Sequence, residues 1–189
     1  MKIHPLCAAV IIQILALSTA PLDVMPASAA PLSDLYDRYF SNVLDGRPCF
    51  ARTYDDTHFK KHPRQRVQSI AIELAKANTD GTPNSADRFE LKFSLLPLTS
   101  PEWYGQTASC KADDTAFECY LEADGGLFRL TPTAANGLRL ETGETGLALE
   151  GTADTIELSG KTGDDRVFDL IPSKDECEAA RNFFEGGAE

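Results

Sequence analysis

Positive charge is scarce in this chain. Its 189 residues hold 18 Lys and Arg against 29 Asp and Glu, a formal charge of −11. A general nucleic-acid binder needs a basic face to replace phosphate counterions, so that class is excluded. The side chains of common catalytic sites are few as well, with three histidines, five cysteines and one tryptophan. No Gly-x-Ser-x-Gly elbow occurs, and beyond residue 29 a nucleophilic serine would have to recruit His58 or His62. No Cys-x-x-Cys pair is present to begin a zinc site. His-Glu-x-x-His is missing too, because Phe59 stands where the glutamate would be. The glycine-rich stretches Asp124-Gly125-Gly126 and Thr142 to Gly146 lack a following Gly-Lys-Ser/Thr, and they read as hairpin turns, not phosphate loops. Cofactor and metal sites are therefore not expected. What remains is an ordinary globular composition, 42% apolar and 25% charged, at a length that suits one domain with a real core.

The chain also lacks a hydrophobic run long enough to span a bilayer. The longest, Leu6 to Leu17, is broken only by Gln13. A run of that length is too short for a hydrocarbon core of about 30 Å at about 1.5 Å per helical residue. It matches the apolar region of a signal peptide, with Lys2 as the positive start. Of two small-x-small sites, Ser18-Thr19-Ala20 is followed by Pro21, which blocks cleavage, whereas Ala27-Ser28-Ala29 is followed by Ala30. The sequence thus predicts a leader at 1–29 and an exported domain at 30–189 with no membrane span of its own. An uncleaved anchor is the alternative. The compartment would be the periplasm if the source is a Gram-negative bacterium, and the extracellular medium otherwise.

Removing the leader deletes Cys7 and leaves Cys49, Cys110, Cys119 and Cys177. Four cysteines allow three pairings, and an exported protein meets an oxidising compartment. Cys110 and Cys119 flank a Lys-Ala-Asp-Asp-Thr turn with strand-like residues on either side, so a cross-strand bridge is expected there. Cys49–Cys177 is then left to tie the two ends of the domain.

Beyond residue 30 the periodicity changes twice. Leu32, Leu35, Tyr36, Tyr39 and Val43 recur at helical spacing until Asp45-Gly46. From Arg66 the period is two: Ile70, Ile72 and Leu74, then Phe89, Leu91, Phe93 and Leu95. Leu138/Leu140, Leu147/Leu149, Ile156/Leu158 and Phe168/Leu170 follow at steps of nine to twelve residues, with Asn136-Gly137 as a strong hairpin turn. Ser173 and Glu176 form a capping box for a last helix that directs Cys177 toward the body. The fold class is mainly β: an antiparallel meander of nine or ten strands forming a small barrel or strongly curved sheet, with short N- and C-terminal helices. The Gly-x-Trp tripeptide that a lipocalin-like barrel carries near its first strand is absent. No family resemblance is drawn.

One segment stands out locally. His58, Lys60, Lys61, His62, Arg64 and Arg66 put four permanent cations and two histidines within nine residues. They form a candidate patch for an anionic small ligand or a partner protein, since guanidinium groups clamp carboxylate and phosphate through paired hydrogen bonds. Alternatively they form a loop neutralised by the acidic second half. Residues 101–189 carry 7 basic and 19 acidic groups, against 10 and 9 over 30–100. His58 and His62 share the four-residue spacing of helical metal ligands, but neighbouring cations oppose a divalent ion. Trp103 and Tyr104, in a proline-bounded loop, are candidates for an aromatic contact or for packing. The expected function is a non-catalytic exported binding or interaction domain, inhibitor-like or envelope-associated. The alternatives are a small-ligand carrier with a barrel cavity and a hydrolase using acidic residues or His58/His62.

Overall fold

The computed structural model describes residues 32–41, 47–113, 115–158 and 163–186. The expected leader, Val43 and Asp45-Gly46 lie outside these residues. Alternating apolar residues build nine strands among the described residues: β1 (Cys49–Thr53), β2 (Val67–Leu74), β3 (Phe89–Pro97), β4 (Tyr104–Asp113), β5 (Ala116–Leu121), β6 (Gly126–Pro132), β7 (Leu138–Glu150), β8 (Thr155–Leu158) and β9 (Val167–Pro172). Three α-helices accompany them among the described residues: α1 (Leu32–Tyr36), α2 (Asp56–Lys61) and α3 (Asp175–Gly186). Every strand pairing is antiparallel. β1 to β7 follow one another around the sheet, and β9 pairs with both β7 and β1, which closes an eight-strand barrel. Among the described residues β8 pairs with β7 alone, outside that ring.

The barrel interior is filled. β3 directs Phe89, Leu91, Phe93 and Leu95 inward, each no more than 1% exposed. Phe117, Phe128, Leu130, Leu138, Leu140 and Phe168 meet them from the other strands. Burial of each such side chain contributes on the order of 1.5–3 kcal/mol. One end is plugged by α1 and the π-helical turn that continues it, Asp37–Ser41. There Tyr36, Tyr39 and Phe40 are buried, with Phe40 ring centroids 5.0 Å from Phe89 and 5.1 Å from Phe117.

Both expected disulfides are present. Cys110 and Cys119 are directly opposed across β4 and β5 and face the interior. Cys49–Cys177 pins α3 to the outer face of β1, where Ala51, Ala71, Trp103 and Ala180 form a second, smaller core. Ser173 and Glu176 do meet at the start of α3, but not as the expected capping box: Ser173 Oγ donates to the Glu176 carboxylate, and the Ser173 N–H that a box would give to Glu176 donates instead to the Cys49 carbonyl at 3.0 Å.

Thr142 to Gly146 is a correction to the sequence reading. It is not a hairpin turn but the bent middle of β7, a strand of 13 residues. The first half of β7 pairs with β6 and β9, and the second half with β8. The bend falls where two strands approach very closely: a Cβ on Gly126 would lie 2.2 Å from the Gly146 carbonyl oxygen, and both glycines have positive φ. Glycines that read as a turn therefore serve a strand that changes partners.

Candidate functional site

The end of the barrel opposite the plug carries the basic segment. Asp55 caps α2, its side chain accepting from the His58 N–H at 2.8 Å. The short helix stacks three rings, with centroids 4.3 Å apart between Tyr54 and His58 and again between His58 and His62. His58 Nε2 bonds Gln65 Oε1 at 2.8 Å, and the Gln65 amide donates to the Val67 carbonyl. That network fixes the chain as it enters β2. Burial pushes the Tyr54 phenol up to about 12.

The cations divide into two pairs. Arg64 donates to Asp164 through both its backbone N–H and its guanidinium. Asp165, 3% exposed, accepts the backbone N–H of Arg66 at 3.0 Å and of Val67 at 3.1 Å, and the Arg66 Nε lies 3.5 Å from it. Arg66 Nη2 donates onward to the Glu157 carbonyl at 2.5 Å. Two of the four cations are thus held by the protein's own acidic half, some 100 residues along the chain. Lys60 and Lys61 are exposed and form no ion pair among the described residues. The acidic doublet Asp164-Asp165, between a Gly-Lys-Thr-Gly stretch and β9, was the available sequence signal for this pairing. The sequence offered the acidic second half as a neutralising partner but did not single out this doublet.

Trp103 and Tyr104 are each 7% exposed. Trp103 packs in the core under α3, and Tyr104 Oη donates to Asp154 at 2.7 Å, a bond that raises the phenol pKa. Beside it Thr152 Oγ1 bonds Glu102 at 2.7 Å. These two bonds fasten the β7–β8 turn to the start of β4 and to the loop that precedes it.

Between that loop and β8 an open cleft of about 1100 Å³ lies over the barrel mouth. Its walls include Arg66, Ser100, Tyr104, Asp124, Asp154 and Glu157. The hydrogen bonds of the β7–β8 hairpin show which way its backbone groups point. Gly151 N–H donates to the Asp154 carbonyl at 2.7 Å, so 151/154 is a hydrogen-bonded pair and the register places 149/156 and 147/158 in the same class. Thr155 and Glu157 then turn their N–H and C=O groups away from β7. Two further bonds agree: Glu157 O is the acceptor for Arg66, and Ala148 N, opposite Glu157, donates to Gly125 on the other side of β7.

A smaller groove of about 280 Å³ runs between α3 and the outer wall. There Arg181 grips Glu73 with contacts of 2.7 and 3.3 Å, and Arg47 approaches it at 3.5 Å. Phe184 lies where a side chain at Gly105 would stand. Among the described residues no group of three or more His, Cys, Asp or Glu is gathered to hold a metal ion. No helix among them is long and apolar enough to cross a membrane. The two disulfides suit an oxidising environment. No family model, curated protein or solved structure matches the chain.

Proposed function

We propose that the protein is an exported, non-catalytic interaction domain that meets its partner through the open end of the barrel. The observation that carries this reading is the contrast between a filled interior and a rich surface at one mouth. Phe89, Phe93, Phe117, Phe128 and Phe168 occupy the space in which a carrier would hold its ligand. The mouth instead collects α2, the cleft and the loops that Tyr104 and Asp154 join. Loops displayed on a rigid barrel are a common way to present a binding surface. Export is supported by the leader-like Lys2 and Leu6–Leu17 pattern together with the two disulfides. The periplasm of a Gram-negative source, or the medium otherwise, is the proposed location.

Within the basic segment the reading narrows to Lys60 and Lys61, the two cations with no ion-pair partner among the described residues. A complex isolated from the exported fraction should bind about tenfold more weakly when both are changed to glutamate, with the fold unchanged. Purified protein that turns over a glycan, ester or peptide would overturn the reading.

A further inference from the structure

We infer that β8 is a docking edge for an extended, basic segment of a partner protein, which adds to it as an antiparallel or parallel strand. The inference rests on the interaction-domain reading and names the chemistry of one contact. Among the described residues β8 has a neighbouring strand on one side only. Its outer edge turns the Thr155 N–H, the Thr155 carbonyl and the Glu157 N–H toward the cleft, and among the described residues none of these three has a partner. The fourth group of that edge, the Glu157 carbonyl, already accepts a guanidinium from Arg66. An unpaired edge of this kind is a template for a further strand. The four residues of β8 extend about 13 Å, long enough for a strand of similar length.

Charge selects the occupant. Of the cleft's carboxylates, Asp165 is engaged by Arg66, whereas Asp124, Asp154 and Glu157 are exposed and their side chains form no ion pair among the described residues, although Arg66 reaches the Glu157 carbonyl. A strand laid along β8 with lysine or arginine at alternate positions would bring those cations to the carboxylates while its backbone bonds Thr155 and Glu157. A second copy of this chain is the poorer occupant. Pairing β8 with β8 brings like carboxylates together and joins two chains of charge −11.

The test titrates the whole exported domain with a synthetic peptide alternating lysine and valine. Controls are its glutamate–valine counterpart and a lysine–valine peptide N-methylated on alternate residues. The lysine–valine peptide should bind and slow hydrogen exchange at the Thr155 and Glu157 amides. The acidic and methylated peptides should bind at least about tenfold more weakly, since each loses charge contacts or backbone bonds. Thr155→Pro, which removes one edge donor, and Glu157→Lys should each weaken binding similarly, and the methylated peptide gives the same reading without altering the protein. Equal binding of all three peptides, no protection at Thr155 and Glu157, or dimerisation through β8 would overturn the inference. A partner that still binds Thr155→Pro at full strength but is weakened by the Lys60 and Lys61 changes would overturn the β8 edge alone. Turnover of a substrate would overturn the underlying reading.

Discussion

Asp165 carries more of the architecture than its place in an acidic loop suggests. Its carboxylate satisfies two backbone N–H groups at the entry to β2 and neutralises Arg66. Asp165→Ala leaves the buried Val67 N–H and the part-buried Arg66 N–H without this acceptor, and it should lower stability by about 2–4 kcal/mol. Urea denaturation with an unchanged slope checks this, and a loss below about 0.5 kcal/mol would be typical of a surface site without such a role. Tyr54 sets a second residue-scale expectation. Its folded pKa of about 12 lies above the ordinary value of 10.0, so the stability it contributes is complete below pH 10 and is lost as pH rises from 10 to 12. The loss amounts to about 3 kcal/mol. Stability measured across that range should fall less steeply in Tyr54→Phe; an identical fall would contradict the assignment.

At the scale of elements, local patterns in the sequence were good guides and distant partners were not. The inward faces of β2 and β3 follow directly from alternation at Ile70/Ile72 and Phe89/Leu91/Phe93/Leu95. The cross-strand disulfide was legible because Cys110 and Cys119 flank one turn, and the second bridge followed from it by elimination. The bend in β7 was not, because glycine serves a turn and a close strand approach equally well in sequence. Neutralisation by the acidic second half was one of the sequence's two readings of the basic segment, but its partners were not legible, because they depend on folding that brings residues 164 and 165 to Arg64 and Arg66. The N-terminal periodicity announced a helix but not that its aromatic residues would plug a barrel.

The bridges themselves should differ in weight. Loop-closure entropy predicts that losing Cys49–Cys177, 128 residues apart, costs about 5 kcal/mol, and losing Cys110–Cys119, 9 apart, about 2–3 kcal/mol. Paired Cys→Ala variants compared by denaturation test the order. Loss of the longer bridge should also shift Trp103 emission toward that of an exposed indole, because Trp103 packs beside Cys177 under α3. The shorter bridge should leave that emission nearly unchanged. The reverse order of stability, or an equal spectral shift, would contradict this account.

Across the whole molecule, the charge of −11 is distributed unevenly, and the fold uses that unevenness. Part of the acidic half stitches residues 64–66 to the loop before β9, while Asp124, Asp154 and Glu157 remain along the cleft. The barrel behind them is packed with aromatic and aliphatic side chains and serves as a rigid support. The central claim is that contact is made at this mouth and not at the plugged end. Photo-crosslinking in the exported fraction tests it most directly, with the crosslinker placed in turn at Lys60, at Thr155 and at Ala135, an exposed residue of the β6–β7 turn at the opposite end. The account predicts one partner adduct from Lys60 and Thr155 and none from Ala135. An adduct from Ala135 with none from the mouth would contradict it.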